Sequence, residues 1–417
     1  MVRANALFIV VVISLIIGIL TSSLILIAYH YRLQISDSLL YKRLELNANS
    51  GINLLLSDYP LPYDEPKWVD LFKEETDSIL IKKSRWGVFE VGVVKASLGK
   101  SKVVKAIEYG YKPDRVSGGA LYLVDQNRPL SLCGKTILRG TCYLPEAGVK
   151  RAYIEGQSFE GDKLVHGKTE RSKTSLPPLN PEVQKYVVAL TENPGASGIQ
   201  LKEIDWQEQD SIINSFLDST SFIHSSSRLN ISGKVIKGNV IIYSSSQVEL
   251  SADNFIKDAL VIAPSIIVKR GFTGSVQLFG TDSIIIEEEV RLTYPSVVSL
   301  VKKDFKVTQP FIRIGSKAEV TGLVVAFQQV FDLKQTLIDL RREAKVEGQV
   351  YADGFLDLKG IVHGSVACNK FTLRTHSSTY ENHLLNAVID QTQLSTHYVG
   401  SSLVKSEKVK KIIKYLE

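Results

Sequence analysis

Two cysteines pose the first chemical question. Residues 130–145 read LSLCGKTILRGTCYLP, with Cys133 and Cys142 flanking a Gly-Lys pair and a second Gly. A bond between them would close a loop of about ten residues, stabilise the chain by about 2–4 kcal/mol and imply an oxidising compartment. The alternative is two buried small apolar side chains. A third cysteine, Cys368, follows Val366 by two positions and is expected to face a core as an inert, unpaired thiol. Other reactive groups are sparse. Asp282, Glu287, Glu288, Glu289 and Asp304 are close in sequence, but the EEE run reads as a solvated turn. The seven histidines are scattered and form no HExxH or one-turn pair. No GxSxG, P-loop or GxGxxG occurs. The expectation is no catalytic residue, no metal site, no cofactor and no enzyme.

The elements that would hold these cysteines start at a membrane. Residues 7–29 read LFIVVVISLIIGILTSSLILIAY, without a charge. That is long enough to cross the roughly 30 Å hydrocarbon core as a helix. Leu7, Ile13, Gly18, Leu26 and Tyr29 mark the expected anchor. A cleavable secretory signal has a shorter apolar core and a small-x-small exit, whereas this one exits at His30-Tyr31-Arg32. Arg3 lies on one side and Arg32, Lys42 and Arg43 on the other, which leaves orientation open. Net charge is +6, with basic residues spread along 417 positions, so nucleic acid is not an expected partner.

Beyond the span, Leu33, Leu39, Leu40, Leu44, Leu46, Ile52 and Leu55 recur at helical spacing, and no Pro or Gly intervenes before Gly51. One helix to about Ser57 is expected, stopped by Pro60 and Pro62. With Asn47-Ala48-Asn49-Ser50-Gly51-Ile52 near its end, this segment resembles the minor pilins and pseudopilins of type IV pilus and type II secretion machinery, especially the large K-type. The resemblance covers about the first 57 residues. Ala4 or Ala6 stands where the family has a Gly before its cleavage point, and the usual Glu at the fifth mature position is absent, as in K-type members. It implies a helix that packs into a filament core. A plain signal anchor with a juxtamembrane helix is the alternative.

Residues 58–129 read as a mixed α/β linker domain, with a short helix over 67–81 and strands at 86–97 and 116–125. Residues 161–182 are polar with clustered prolines and read as loop. Helices are expected over 183–190 and 210–217.

A repeat dominates the rest. Gly238, Asp258, Gly274, Gly322, Gly348 and Gly364 each open an apolar-alternating run, at offsets of 20, 16, 48, 26 and 16. Most runs are followed by a second short apolar strand. This pattern predicts a parallel β-solenoid, β-helix-like, in which each turn buries its inward face against its neighbours; a β-sandwich is the alternative. Inward positions would be Val240, Ile242, Leu260, Ile262, Val276, Leu278, Val324, Ala326, Val350, Ala352 and Val366. Gly238, Gly274, Gly322, Gly348 and Gly364 would turn the corners. Because GKTILRGTCYLP matches GKVIKGNVIIYS with one insertion, the solenoid is expected to run over 130–400, starting near Leu130 and carrying a large insertion at about 150–225. Residues 348–373 are also similar in fold to the bactofilins, cytoskeletal polymers built from short β-helices. Residues 401–417 read as a basic amphipathic C-terminal helix, suited to an anionic membrane, an acidic partner or the last turn.

The sequence thus predicts a mainly β protein with an N-terminal transmembrane helix and an exoplasmic β-solenoid domain. Its expected role is a single-pass inner-membrane structural component of a bacterial pilus-like or secretion-type assembly, with most of the chain in the periplasm or outside. Partners would be the lipid bilayer and other envelope proteins, or further copies through the anchor helix or the β-turns. The alternatives are a membrane-tethered bactofilin-like scaffold and a β-helix envelope hydrolase or lyase.

Overall fold

The computed structural model describes residues 2–57, 59–71, 78–114, 116, 118–305, 308–404 and 406–416. It divides into two compact units: residues 1–82 with 94–105, and residues 83–93 with 106–417.

The first unit is built on helix α1 (Val2–Leu56). At 1.5 Å per residue it is roughly 80 Å long. Its last turns bury one face: Leu44, Ala48, Ile52 and Leu55 are all 3% exposed or less, at the spacing of a single helical stripe. Ile79, Ile81, Val94, Ala96 and Val103 are the buried strand residues of the same unit. Gly51 lets the helix approach closely, because a Cβ there would lie 2.4 Å from Val94 Cγ1. Lys105 Nζ donates to Asn49 Oδ1 at 2.8 Å and to Glu45 Oε1 at 3.2 Å. The helix stops with Ser57 Oγ bonded to the Leu54 carbonyl, three residues before Pro60. The helix expected over 67–81 is not formed. Lys67–Asp70 is a strand paired antiparallel with residues 78–81, and residues 72–77 lie outside the described residues.

The second unit is dominated by parallel pairing in three ladders. Successive turns of chain place equivalent residues side by side. In the first ladder one column runs Ile223, Ile242, Val261, Leu278, Val298, Val324, Val350 and Val366. In the second it runs Ile212, Ile236, Ile256, Gly274, Leu292, Val320, Val346 and Val362. In the third it runs Leu229, Val248, Ile266, Ile284, Ile312, Ile338, Leu356 and Phe371. All these side chains belong to one apolar core except Gly274, which has none; there the Ile256 carbonyl oxygen and the ring of Phe272 occupy the space a Cβ would need. β-Branched residues in register are what a sheet buried on this face requires.

The stack is not in sequence order. Leu121–Leu123 pairs with the turn that comes last among the repeats, through Leu121 and Val366, and Cys142–Leu144 and Thr169–Arg171 follow it outward. Ile137–Arg139 pairs with Val388–Asp390 in the second ladder. The turn around Leu130 therefore lies beyond residue 374, not before residue 229. Both places use the same Gly-Lys sequence, so similarity alone did not distinguish them.

Three local expectations are corrected here. Residues 210–217 hold a strand, Ser211–Asn214, in the second ladder. The C-terminal segment is a strand, Ser406–Leu416, antiparallel to residues 106–113; its Val and Ile residues fit either period, and pairing with a neighbour decides. Leu260 and Ile262 face outward, while Ala259 and Val261 face the core. The register slips between Lys257 and Ala259, where Asp258 has φ +70°, and a one-residue slip exchanges the two faces. The helix expected over 183–190 is α2 (Pro181–Glu192), capped by Asn180. It packs Val183, Val187 and Leu190 on the outer side of the first ladder, beside Trp86, Val88 and Phe279.

Candidate functional site

The most distinctive chemical surface is apolar. In α1, Leu7, Ile13, Leu26 and Tyr29 are 71%, 50%, 58% and 59% exposed, and a Cβ on Gly18 would meet nothing within 4 Å. Large aliphatic side chains point outward on every side of residues 7–29. The helix is long and apolar enough to cross a membrane. An amphipathic stripe would have answered to one protein face; an all-round apolar cylinder needs lipid or other helices. Thr21 Oγ1 bonds back to the Ile17 carbonyl at 2.9 Å, which satisfies the hydroxyl inside such a segment.

Four of the glycines expected at corners lie at positive φ where two backbones approach closely. Gly322, Gly348 and Gly364 form a column with Ser296. Their φ values are 142–147°, and a Cβ on Gly348 would lie 1.9 Å from the Gly322 carbonyl oxygen. The same close approach occurs at Gly238, 2.1 Å from the Asn214 carbonyl oxygen. Gly274 has no positive φ and sits within the second ladder instead.

The expected bond between Cys133 and Cys142 is not made. Both are free, as is Cys368, and all three are buried. Cys142 points into the main core. Cys133 belongs to a separate cluster with Ile154, Leu373 and Leu385. They lie on different strands, Leu130–Cys133 and Cys142–Leu144, with Ile137–Arg139 between them. Burial pushes the Cys142 thiol up to about 12, and the Cys133 and Cys368 thiols rise for the same reason. Such thiols are packing groups.

Several buried charges went unread in the sequence. Lys302 is fully buried and bonded to Asp332 and to the Lys334 carbonyl. Lys414, near the C-terminus, is bonded to Asp258 and lies 3.1 Å from Glu108. Burial raises Glu108 to about 7, against the opposing pull of Lys414. Asp353 accepts from Asn369 Nδ2 at 3.0 Å, and burial raises it to about 6. Each partner is distant in sequence, so no local pattern announces it. Two members of the acidic run are paired: Glu287 meets Lys269 at 3.2 Å and Glu289 meets Arg270 at 2.8 Å. Among the described residues, no three His, Cys, Asp or Glu side chains are grouped to hold a metal.

No protein-family profile and no curated protein matches the chain. Among solved structures, the competence-associated pilin ComZ from Thermus thermophilus aligns over 92% of this chain and 96% of its own, at 12% identity and a TM-score of 0.28. A likeness of that size carries no argument about this chain.

Proposed function

We propose that the chain is a membrane-anchored, non-enzymatic structural subunit of a pilus-like or secretion-type assembly in a bacterial envelope. We read its three ladders as the walls of a parallel β-solenoid that presents an outer surface to partners outside the cytoplasm. One observation carries the reading. A single unbroken helix seals its last turns to its own unit through Leu44, Ala48, Ile52 and Leu55, and leaves residues 7–29 apolar on all sides. A simple tether would not need to continue as a rigid rod into a folded unit. A subunit that packs helix against helix would.

The test is oxidative cross-linking in membranes of chains with one added cysteine, Gly18→Cys or Leu26→Cys. Disulfide-linked dimers are expected from helix packing, and because the native thiols are buried they report on the added cysteine. Monomers at both positions would count against helix-to-helix assembly.

A scaffold that polymerises end to end through its β-turns stands second. Parallel pairing sustained over many turns supports it. Against it, apolar groups cover both ends of the stack: Ile204 and Trp206 pack on the core beside Leu201–Glu203, and Val149, Leu164 and Val165 pack at the other end. Covered ends are how such stacks stay separate.

A further inference from the structure

The third ladder carries a charged pattern that the assembly reading does not use. Asp339-Leu340-Arg341 and Asp357-Leu358-Lys359 lie side by side in consecutive turns, with Asp339 in register with Asp357 and Leu340 with Leu358. Arg313 stands opposite Asp339 on the turn before. Thr372-Leu373-Arg374 follows on the turn after, Phe371 pairing with Leu356. Neighbouring turns are about 4.8 Å apart. Arg341, Lys359 and Arg374 thus form a row of cations at strand spacing.

The two carboxylates beneath this row are buried, Asp339 at 5% and Asp357 at 2% exposure. Asp339 Oδ2 takes the Nε of Arg313 at 3.2 Å and the Nε of Arg341 at 3.1 Å. Asp357 Oδ2 takes Lys359 Nζ at 2.9 Å. The Oδ1 atoms of both aspartates have no hydrogen-bond partner among the described residues. Among the described residues each arginine is hydrogen-bonded through its inner nitrogen, Arg313 also lying over the Phe311 ring at 5.0 Å, and the terminal nitrogens remain open to an oxyanion. The side chains of Arg313 and Arg341 are 42% and 45% exposed. Both line a groove of about 1280 Å³ whose other walls include Lys135, Arg374 and His376. The groove runs on through Arg313, Ser316 and Arg341 into a second hollow of about 460 Å³.

We propose that this groove binds an acidic polysaccharide, its carboxylate or sulfate groups held by the terminal nitrogens of Arg313 and Arg341 and by Lys359 and Arg374. Guanidinium groups fixed by a buried carboxylate lose little freedom when they take an oxyanion in a fork. The strand spacing is close to the length of one pyranose unit, so successive turns can address successive sugars. Nucleic acid fits less well. Its backbone is uniformly anionic, whereas Glu155, Glu160 and Glu343 also line this groove, and no Phe, Tyr or Trp does so to form a stacking platform for bases. A polymer with spaced acids and neutral hydroxyls tolerates such mixed charge. This inference stands apart from the assembly reading.

The experiment measures binding of the full chain, in detergent, to immobilised polygalacturonate, chondroitin sulfate, neutral dextran and single-stranded DNA at about 0.15 M salt. Binding to one or both acidic glycans and not to dextran is expected. The double variant Arg313→Gln/Arg341→Gln should weaken it at least about tenfold. Asp339→Asn, which releases both arginines, should also weaken it while Arg291→Gln, paired with Glu319 elsewhere, should not. Near-ultraviolet circular dichroism of each variant separates lost binding from lost fold. The proposal is overturned by binding to neither acidic glycan, by equal binding to dextran, by groove-dependent binding that prefers DNA, or by glycan binding that survives the double variant.

Discussion

Residues 7–29 and residues 44–55 belong to one helix and are both rich in apolar side chains, yet they end differently. In the second stretch Leu44, Ala48, Ile52 and Leu55 make one stripe, and the chain covers that stripe itself. In the first, Leu7, Ile13 and Leu26 point to different sides and remain exposed among the described residues. The contrast separates surface that the fold has already satisfied from surface reserved for a surrounding phase or partner. Substitutions of the same kind should therefore have different consequences in the two classes.

The largest effect is expected where packing is most complete. Gly348→Ala places a Cβ against a backbone oxygen at 1.9 Å and at φ +142°, with no flexible side chain to yield. Chemical denaturation should show a loss of about 4 kcal/mol or more; a loss near that of an ordinary surface change would mean the column is not so tight.

Next comes a pH effect. Asp353 titrates near 3.8 when unfolded and at about 6 when buried in the fold. The folded state binds the proton more tightly, so this contribution is complete below about pH 4 and is lost as pH rises through about 6. Glu108, at about 7, acts in the same sense. The melting temperature should be lower at pH 8 than at pH 5, by the equivalent of about 1.5 kcal/mol for Asp353, whose contribution is already partly lost at pH 5. Asp353→Asn should flatten the profile, and an unchanged slope would refute the assignment.

A paired substitution compares the helix halves directly. Gly51→Val, against Val94 and Ile79, should cost about 1–3 kcal/mol in the unfolding of the first unit. Gly18→Val, with open space around it, should leave that unfolding unchanged. Equal effects would erase the distinction.

The smallest expected effect is none. Cys133, Cys142 and Cys368 should resist a thiol reagent in the native protein and all react after unfolding, with or without prior reduction. A native thiol that reacts within minutes would contradict its burial. Cysteine labelling of the folded chain consequently says nothing about compartment.

The sequence was informative where one side chain's surroundings are set by its own neighbours. The helix through residue 56, its stop before Pro60, the α2 helix and most inward residues from Val240 to Val366 follow from local periodicity and turn chemistry. It misled where distant pairing decides. The strands at Ser406–Leu416 and Lys67–Asp70 exist because another strand lies beside each of them. Asp258 adopts a left-handed conformation at a corner otherwise given to glycine, and the resulting slip reversed Leu260 and Ile262. The spatial order of turns was invisible, since Leu121–Leu123 and Cys142–Leu144 could stack on either end by composition. The charged groove escaped notice because Asp339 and Asp357 become neighbours only through register.

The most direct test of the central claim compares membrane retention of the full chain with that of a chain beginning at Tyr31. After alkaline carbonate washing, the full chain should remain in the membrane pellet. The shortened chain should be released with the circular dichroism of its strands intact. A full chain that washes out, or a shortened chain that stays behind, would contradict the assignment of residues 7–29 as the surface reserved for the membrane and its partners.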